Sequence, residues 1–590
     1  MEFTNNSDFN LKLTENGDKA FNTSGNFCLD FFVRITRNSD LNDYISSFCK
    51  AWSENHEIAI KSLINMRDIR NGKGEKLIPI AILTFLKFNI EPEIYNIIIE
   101  KFIEYGCWKD LLKIIEIETH VRSTIPSLTS VFVNPIEIKL FSKQLQQDYD
   151  TLLLNNNPAK NLAISLCAKW APSEKQHYNK LPLHVANDIM DDMRLTPKKY
   201  RQMITKLRKH LQVLELLMST QQFDKIDFSR LPSVAIKKMK SAFSRDTNSN
   251  GIKSDARCNL NISYSKYLSD LTTGKTKVNV KGIQPHELVG EYLLSQSNVD
   301  TLVEAQWNAI KNDVLKSGAF RDVTAIVDVS GSMNGQPMQV AIALGILVAE
   351  CTQGPFYGKV ITFHEKPSWH HLIGDNLKEK TICMKNAPWG GSTNLRSVFD
   401  LILTNARDAK LTQDEMVKTL FIFTDMQFNA CDYGNWNSTF EDAKNNFEKA
   451  GYKFPNIVCW NLRTSTSKTL PVSMNENGYV MLSGFSAELL KSVLNAEDFS
   501  PYKMLLKVLE PYDLPNDFNK CQTHTINFDV NLLSKYKECV SKSLFKKCYK
   551  KSNNSTNTVN KTTSINNTGS IYKSLSTNKI YNTIDPNWDI

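Results

Sequence analysis

The sequence of 590 residues has no Cys-x-x-Cys pair. It also has no run of about 18 apolar residues, so no membrane-spanning helix is expected. The first residues lack the basic and then apolar segments of a secretory signal. The twelve cysteines are scattered, and Cys167, Cys351 and Cys459 lie in apolar stretches. We therefore interpret the cysteines as reduced core residues of a cytoplasmic protein, and not as disulfides or zinc ligands.

Positive charge is concentrated in one segment of the chain. The formal net charge is +9, whereas residues 194–281 contain 19 Lys and Arg against 6 Asp and Glu, a local charge of +13. Such an excess is typical of a surface that binds nucleic acid backbones, and the alternative is a solvated helix face. Tyr264 and Tyr267 follow and are expected to stack on unpaired bases. The residues predicted to contact nucleic acid are Lys198, Lys199, Arg201, Lys206, Arg208, Lys209, Lys237, Lys238, Lys240 and Arg245.

A short apolar strand at residues 324–327 ends in Asp328, which is followed by Ser330 and Ser332. Alternate residues of an extended chain point the same way, so these three oxygen-bearing side chains can converge. A divalent cation such as Mg²⁺ needs six oxygen ligands, and further ligands must come from elsewhere. Thr393 lies on a glycine-containing loop, and Asp425 ends a second apolar strand. We predict that these five residues form a site for Mg²⁺ or Mn²⁺; the alternative is a polar turn.

The order Asp328-x-Ser330-x-Ser332, Thr393, Asp425 resembles the metal-ion-dependent adhesion site of von Willebrand factor A domains. In that family the hydroxyls bind the ion directly and the acids act mostly through water. An acidic group from a partner completes the coordination. The resemblance implies a site that binds and does not catalyse. One departure is Met426, which stands where the family often has glycine.

The residues around this motif favour a doubly wound α/β domain over residues 319–496. Apolar runs too short for helices alternate with helical stretches, which predicts a mainly parallel sheet. The expected strands are 325–327, 360–363, 420–423, 457–460 and 479–482, with 368–373 as an antiparallel edge; helices are expected at 338–350 and 440–450.

The preceding part of the chain, residues 25–318, is predicted to be all α-helical and repeat-like. The clearest helices are expected at 41–52, 76–88, 92–105, 108–117 and 136–154. The turn Arg67-Asp68-x-Arg70-x-Gly72-Lys73-Gly74-Glu75-Lys76 and the later Gly106-x-Trp108-x-Asp110 resemble a family that joins a TROVE-like helical region to a von Willebrand A domain. This family of uncharacterised proteins occurs in plants, fungi and large DNA viruses, and the resemblance covers residues 25–510.

A distant relative of that family is the Ro autoantigen, a helical-repeat ring that binds misfolded and small noncoding RNAs. The resemblance implies a non-enzymatic, RNA-binding scaffold with a metal-ion-dependent adhesion site, whose partners are structured or single-stranded RNA. The alternative is a protein-binding adaptor whose bound Mg²⁺ takes an acidic group from a partner. The remaining segments are expected to be a flexible N-terminus (1–24), C-terminal helices that pack on the core (497–550, with helices at 501–509 and 532–550) and a disordered tail rich in Asn, Ser and Thr (551–590).

Overall fold

The structure of the protein is a computed structural model. The structure describes residues 11–13, 19–36, 41–126, 135–154, 163–180, 182–247, 251–294, 298–318, 320–362, 366–388, 394–426, 436–463, 469–494, 498–519 and 533–540. Residues 1–10 and 541–590 lie outside these ranges, and they include part of the predicted N-terminal segment and all of the predicted tail.

The N-terminal part is helical, as the sequence predicts, and is preceded by two short antiparallel strands. The strands are β1 (Leu11–Leu13) and β2 (Lys19–Phe21). The helices are α1 (Phe27–Arg34), α2 (Leu41–Glu54), α3 (His56–Arg67), α4 (Ile78–Asn89), α5 (Pro92–Tyr105), α6 (Trp108–Thr124), α7 (Ile136–Leu153), α8 (Cys167–Trp170), α9 (Val185–Asp192), α10 (Pro197–His210), α11 (Leu214–Ser219), α12 (Ser233–Phe243), α13 (Asp255–Thr272), α14 (Pro285–Leu294) and α15 (Thr301–Lys316).

The C-terminal part is an α/β unit. Its strands are β3 (Phe320–Arg321), β4 (Val323–Val327), β5 (Thr352–Gln353), β6 (Lys359–Thr362), β7 (Ser368–His371), β8 (Thr419–Thr424), β9 (Asn456–Asn461) and β10 (Tyr479–Ser483). Its helices are α16 (Gln336–Cys351), α17 (Leu377–Lys385), α18 (Leu395–Asp408), α19 (Trp436–Lys449), α20 (Glu488–Leu494), α21 (Pro501–Leu509) and α22 (Asn516–Asn519). A further helix spans residues 533–540.

Local signals in the sequence set several helix ends. Pro92 occupies the first turn of α5, where the missing N–H of proline is harmless, and Gly106 follows its last residue. The Thr196 side chain accepts a hydrogen bond from the Lys199 N–H at the start of α10. Asp300 caps α15 in the same way, accepting from the N–H groups of Leu302 and Val303. These caps satisfy donors that the first turn of a helix leaves without partners.

Six strands form one sheet in the order β7-β6-β4-β8-β9-β10. All neighbouring pairs are parallel except β6 and β7, which are antiparallel, so the predicted antiparallel edge strand is confirmed. The chain leaves β4 toward β6 on one side and later returns to β8 on the other side. The carboxyl ends of β4 and β8 therefore lie at a topological switch point, where open α/β sheets bind ligands.

Each face of the sheet is covered by helices. On one face, α18 and α19 pack on a cluster that contains Ile326, Ile422 and Ile457. On the other face, α16 contacts β4, β6 and β8, while α1 and α21 contact β10. The N-terminal helix α1 thus covers part of the sheet, and one continuous apolar cluster contains residues from both parts of the chain. Helix α21 covers the residues predicted as a helix at 501–509, and Met504, Leu505 and Val508 on it are buried.

Polar contacts fix α1 against the ends of the last two strands. Asn461 Nδ2 donates to Val33 O (3.1 Å), and Ser483 Oγ donates to Phe32 O (2.9 Å). Lys73, from the glycine-containing turn after α3, is fully buried here. Its ammonium donates to Ser483 Oγ (2.6 Å) and to Phe32 O. Burial lowers the pKa of Lys73. The basic turn therefore joins the helical part to the sheet.

No helix within the described ranges combines the length and the apolar character needed to cross a membrane.

Candidate functional site

Asp328 lies directly after the buried strand β4. Its N–H donates to Phe423 O (3.0 Å), which continues the pairing with β8. Its side chain is fully buried, with Oδ1 accepting from the Ser330 N–H (2.9 Å) and Oδ2 from Thr424 Oγ1 (2.7 Å). Both donors are neutral and do not cancel a carboxylate charge. Thr424 was not predicted as a site residue, although it stands directly before Asp425 in the sequence.

The two serines converge as the spacing predicts. Ser330 and Ser332 lie on a tight turn, and their hydroxyl oxygens are 2.9 Å apart. Ser330 is buried, whereas Ser332 is partly exposed. The guanidinium of Arg463, which follows β9, donates to the Ser332 carbonyl and holds this turn against the neighbouring strand end. Two hydroxyls therefore face the same space beside Asp328.

Asp425 lies at the carboxyl end of β8, next to the strand that ends in Asp328. The register pairs Val327 with Phe423, so Asp425 follows the residue opposite Asp328. Asp425 is buried, with 2% of its surface exposed. Burial, and secondly the negative charge of Asp425, raise the pKa of Asp328 to about 6. Met426 has φ of 62°, a left-handed conformation that favours glycine over other residues.

The donor set consists of oxygen atoms only. Carboxylates and hydroxyls suit Mg²⁺ and Mn²⁺, whereas zinc sites use histidine and cysteine. A buried carboxylate whose hydrogen bonds come from neutral groups, as for Asp328, is costly unless a positive charge lies near it. A site of Asp328, Ser330, Ser332 and Asp425 is therefore compatible with a divalent cation. The fifth predicted ligand, Thr393, lies outside the described residues. Within the described ranges, no group of three or more His, Cys, Asp and Glu side chains is placed to hold a metal.

The basic helix α10 has a clear division between its faces. Tyr200, Met203, Ile204 and Leu207 are buried. The exposed predicted cations are Lys198, Lys199, Arg201, Lys206 and Lys209. Arg208 instead turns inward, and its guanidinium donates to the carbonyls of Ala168 (2.8 Å) and Ala171 (2.6 Å). Five of the six cations predicted on this helix thus face solvent.

On α12 the cations are used partly within the fold. Lys237 Nζ donates to Glu287 O (2.7 Å) and lies 3.3 Å from a Glu291 carboxylate oxygen. Lys240 pairs with Glu291 and Asp300, both at 3.0 Å. Lys238 and Arg245 are exposed. The positive charge of this helix is therefore weakened by acidic residues that the count over 194–281 did not include.

The expectation that Tyr264 and Tyr267 stack on bases is wrong. Both side chains are buried, with 3% and 7% of their surface exposed. They pack against Phe228, whose ring centroid lies 5.5 Å from that of Tyr267. The spacing of Leu260, Tyr264, Tyr267 and Leu271 is that of one helix face, which is the pattern of a core stripe.

Comparison with known proteins places the chain in a family. The domain of unknown function DUF2828 matches residues 14–135 and 136–320, and the domain of unknown function DUF7788 matches residues 322–524. The chain is also 65% identical over 555 residues to the Uncharacterized protein L728 of Acanthamoeba polyphaga mimivirus, covering 93% of this chain and 97% of that protein. The chain therefore belongs to the DUF2828 family and shares nearly its whole length with a protein from a large DNA virus.

Proposed function

We propose that this chain is a non-enzymatic binding protein that holds Mg²⁺ or Mn²⁺ at Asp328, Ser330, Ser332 and Asp425, with Thr393 as a further ligand. The bound ion takes an acidic group from a partner protein. The observation that carries this proposal is the buried Asp328 carboxylate beside the paired Ser330 and Ser332 hydroxyls at the carboxyl end of β4, with the buried Asp425 at the carboxyl end of the adjacent β8.

The strand order supports the same reading. Numbered within the sheet, the six strands run 3-2-1-4-5-6, with the third antiparallel. The candidate ligands lie after strands 1 and 4, the switch point of a doubly wound sheet. This arrangement, together with the Asp-x-Ser-x-Ser motif, resembles the metal-ion-dependent adhesion site of von Willebrand factor A domains.

The contacts of the serines favour binding over catalysis. A nucleophilic serine needs a base within hydrogen-bond reach. Here the Ser330 hydroxyl is hydrogen bonded to the Ser332 hydroxyl. The Asp328 carboxylate is also within its reach, but this carboxylate already accepts from the Ser330 N–H and from the Thr424 hydroxyl. If the hydroxyls bind the ion directly and the two acids act through water, as in the adhesion sites that the motif resembles, the ion keeps a strong attraction for an acidic partner group.

Binding of Mn²⁺ to the purified chain, followed by electron paramagnetic resonance, tests the proposal. We expect one site whose Mn²⁺ is displaced by Mg²⁺, and we expect Ser332→Ala and Asp425→Asn each to weaken it about tenfold or more, the effect of losing a ligand or its hydrogen-bonded support. The matched control is Asp408→Asn, because Asp408 is exposed on α18. Binding that is absent, or equal in all four proteins, would reject the cation site.

Capture of a partner then tests the second half of the proposal. A partner should be retained by the wild-type chain in Mg²⁺ and by Asp408→Asn, but not in chelator or by Asp425→Asn. If the partner is retained equally in chelator and by Asp425→Asn, partner binding does not depend on the ion.

RNA binding is a second candidate, favoured by the exposed cations of α10 and by the resemblance to TROVE-like proteins. In this reading the chain is an RNA-binding scaffold related to Ro-type ribonucleoproteins. Fold resemblance alone does not establish function, so the α10 surface carries the test. We expect affinity for single-stranded or structured RNA that falls steeply with salt.

A variant in which the four exposed lysines of α10 are replaced should bind RNA more weakly. The slope of the logarithm of affinity against the logarithm of salt concentration should also be smaller, by about 0.7 for each lost contact with a single-strand phosphate. The control replaces Lys237, because this lysine is held by Glu287 and Glu291. Equal RNA affinity in the wild type and the α10 variant would reject this candidate. The four lysines are Lys198, Lys199, Lys206 and Lys209.

A further inference from the structure

A cavity of about 470 Å³ lies between helices α1 and α2 and the carboxyl edge of the sheet. Arg34 and Tyr44 line it from the helices, and Met426, Asn461 and Leu470 line it from the sheet side. Its volume is within the range of small-molecule sites, and its place outside the strand ends is where α/β sheets bind ligands.

Arg34 has a donor in this region without an acceptor. One of its terminal nitrogens donates to Asn22 O and lies 3.6 Å from an Asp30 carboxylate oxygen. The Nε group is buried, and among the described residues it has no hydrogen-bond partner. A buried donor left without an acceptor is unfavourable, so such a group beside a cavity points to a missing acceptor.

Asp30 lies beside the Arg34 guanidinium but does not accept from its Nε group, because Asp30 Oδ2 lies nearest a terminal nitrogen of Arg34 and Oδ1 accepts from Ser24. The Asp30 Oδ1 atom accepts from the Ser24 N–H (2.9 Å) and from the Ser24 hydroxyl (2.6 Å). Burial lowers the pKa of Arg34, and the charge of Asp30 only partly opposes this effect. The guanidinium thus has Asp30 as an acidic neighbour, while its buried Nε group still has no acceptor among the described residues.

Further positive charge and hydroxyl groups surround the cavity. Lys50 lines it, and Lys537 from the helix at 533–540 donates to the hydroxyl of Ser46, another lining residue (2.7 Å). Ser47 adds a second hydroxyl from α2. Asp30 is the one acidic side chain among the lining residues. The cavity therefore offers cations and donors to an anion.

We propose that this cavity binds a small molecule through an oxyanion, a phosphate or carboxylate group that pairs with the Arg34 guanidinium. The planar fork of arginine matches the oxygen spacing of both groups, and charge-assisted hydrogen bonds of this kind are strong. Ser46, Ser47 and Lys50 contribute the surrounding donors. The site is distinct from the candidate metal centre, although Met426 lies one residue beyond Asp425, and it does not depend on the proposed function.

Thermal unfolding of the full chain in EDTA, at constant ionic strength, tests this site with inorganic phosphate and acetate as separate probes. A bound probe stabilises the folded state in proportion to its occupancy. We expect a saturable rise of the midpoint with at least one probe in the wild type. The Arg407→Gln variant should behave in the same way, because Arg407 is exposed on α18 and reports the general effect of the salt.

The Arg34→Gln variant should bind about tenfold or more weakly, because it loses a charge-assisted hydrogen bond, and Arg34→Lys should recover part of the binding. Ser47→Asp places a negative charge in the cavity and should abolish binding of the probe. If Arg34→Gln does not fold, the Ser47→Asp variant provides the test of the site. A rise with phosphate alone or acetate alone assigns the oxyanion. Equal rises in the wild type, Ser47→Asp and Arg407→Gln, or no saturable rise, overturn the proposal.

Discussion

Replacement of Asp328 by asparagine should stabilise the cation-free protein at neutral pH. The Asp328 carboxylate is fully buried near Asp425, and its hydrogen bonds come from the neutral groups of Ser330 and Thr424. Asparagine keeps an acceptor for the Ser330 N–H, and the Thr424 hydroxyl can rotate to accept from the new amide. The variant removes the buried charge while leaving the local hydrogen bonds available.

The size of the effect follows from the pKa of Asp328, which is raised from 3.8 to about 6. Each pKa unit corresponds to about 1.4 kcal/mol, so the ionised carboxylate costs about 3 kcal/mol at pH 7, an upper limit for the gain from asparagine. The folded state binds this proton more tightly than the unfolded chain. The stabilisation of the folded wild type by the protonated carboxyl is therefore fully present below about pH 4. It is lost as the pH rises through about 6.

Thermal unfolding in EDTA provides the assay. An unfolding entropy of about 2.1 cal/mol/K per residue gives about 1.2 kcal/mol/K for 590 residues. A gain of 3 kcal/mol then raises the midpoint by roughly 2–3 °C at pH 7, and the difference from the wild type should vanish near pH 4. Asp408→Asn serves as the control for the loss of an exposed carboxylate.

Addition of Mg²⁺ should reverse the order of the two proteins. A ligand at 100 times its dissociation constant stabilises the folded state by about 2.7 kcal/mol, and the wild type should gain this while Asp328→Asn gains little. The prediction fails if the variant has a lower unfolding midpoint than the wild type in EDTA at pH 7. It also fails if Mg²⁺ stabilises both proteins equally, because the Asp328 carboxylate would then not be part of a cation site.

Three further outcomes can be checked by simpler measurements. Lys87→Met should lower stability by about 3–5 kcal/mol, seen as a lower unfolding midpoint, because it leaves the buried Glu137 carboxylate, 2.7 Å from Lys87 Nζ, without its cation; partial recovery on adding Glu137→Gln is the check. Gly345→Ala should destabilise by about 1–3 kcal/mol, against the usual gain of alanine in a helix, because its Cβ would overlap Val327 Cγ2; an unchanged midpoint contradicts this. Burial raises the pKa of Cys459 to about 12, so mass spectrometry should find this thiol unmodified by iodoacetamide at pH 8 until denaturant is added.

Much of the α/β unit could be predicted from the sequence because its signals are local. Short apolar runs bounded by turns gave the strands, and the two strand ends gave Asp328 and Asp425. Parallel strands bring their carboxyl ends to one edge, so the pairing of these acids followed from topology alone. The predicted strand 420–423 is observed as Thr419–Thr424, and 457–460 as Asn456–Asn461.

The basic segment shows where counting residues fails. A charge sum over 194–281 treats every cation as free, but Arg208 is bound by backbone carbonyls and Lys240 by Glu291 and Asp300. Both acids lie beyond the segment, so only the fold brings them to α12. The buried tyrosines were misread for a related reason, since aromatic side chains beside cations occur in cores as well as in nucleic acid sites.

The Arg34 cavity could not be predicted because its walls come from distant parts of the sequence. Residues near 22–50 meet residues 426, 461 and 470 only after α1 has packed over the end of β10. Each of these residues alone is an ordinary polar or apolar residue. The Nε atom of Arg34 becomes informative only when the structure shows that it is buried without an acceptor among the described residues.

The position of α1 links the two parts of the chain and both candidate sites. In the described part of the β9 to β10 connection there is no crossover helix, and α1 and α21 cover β10 where such a helix would pack. Lys73, from the helical part, joins the carbonyls at the end of α1 to Ser483 at the end of β10. The matches to DUF2828 and DUF7788 divide the chain near residue 321, yet one apolar cluster crosses that point. Removing the helical part would expose the apolar face of β10 and open one wall of the Arg34 cavity. We therefore expect the α/β unit to need α1 for its own stability, so that cation and anion binding both belong to the whole chain.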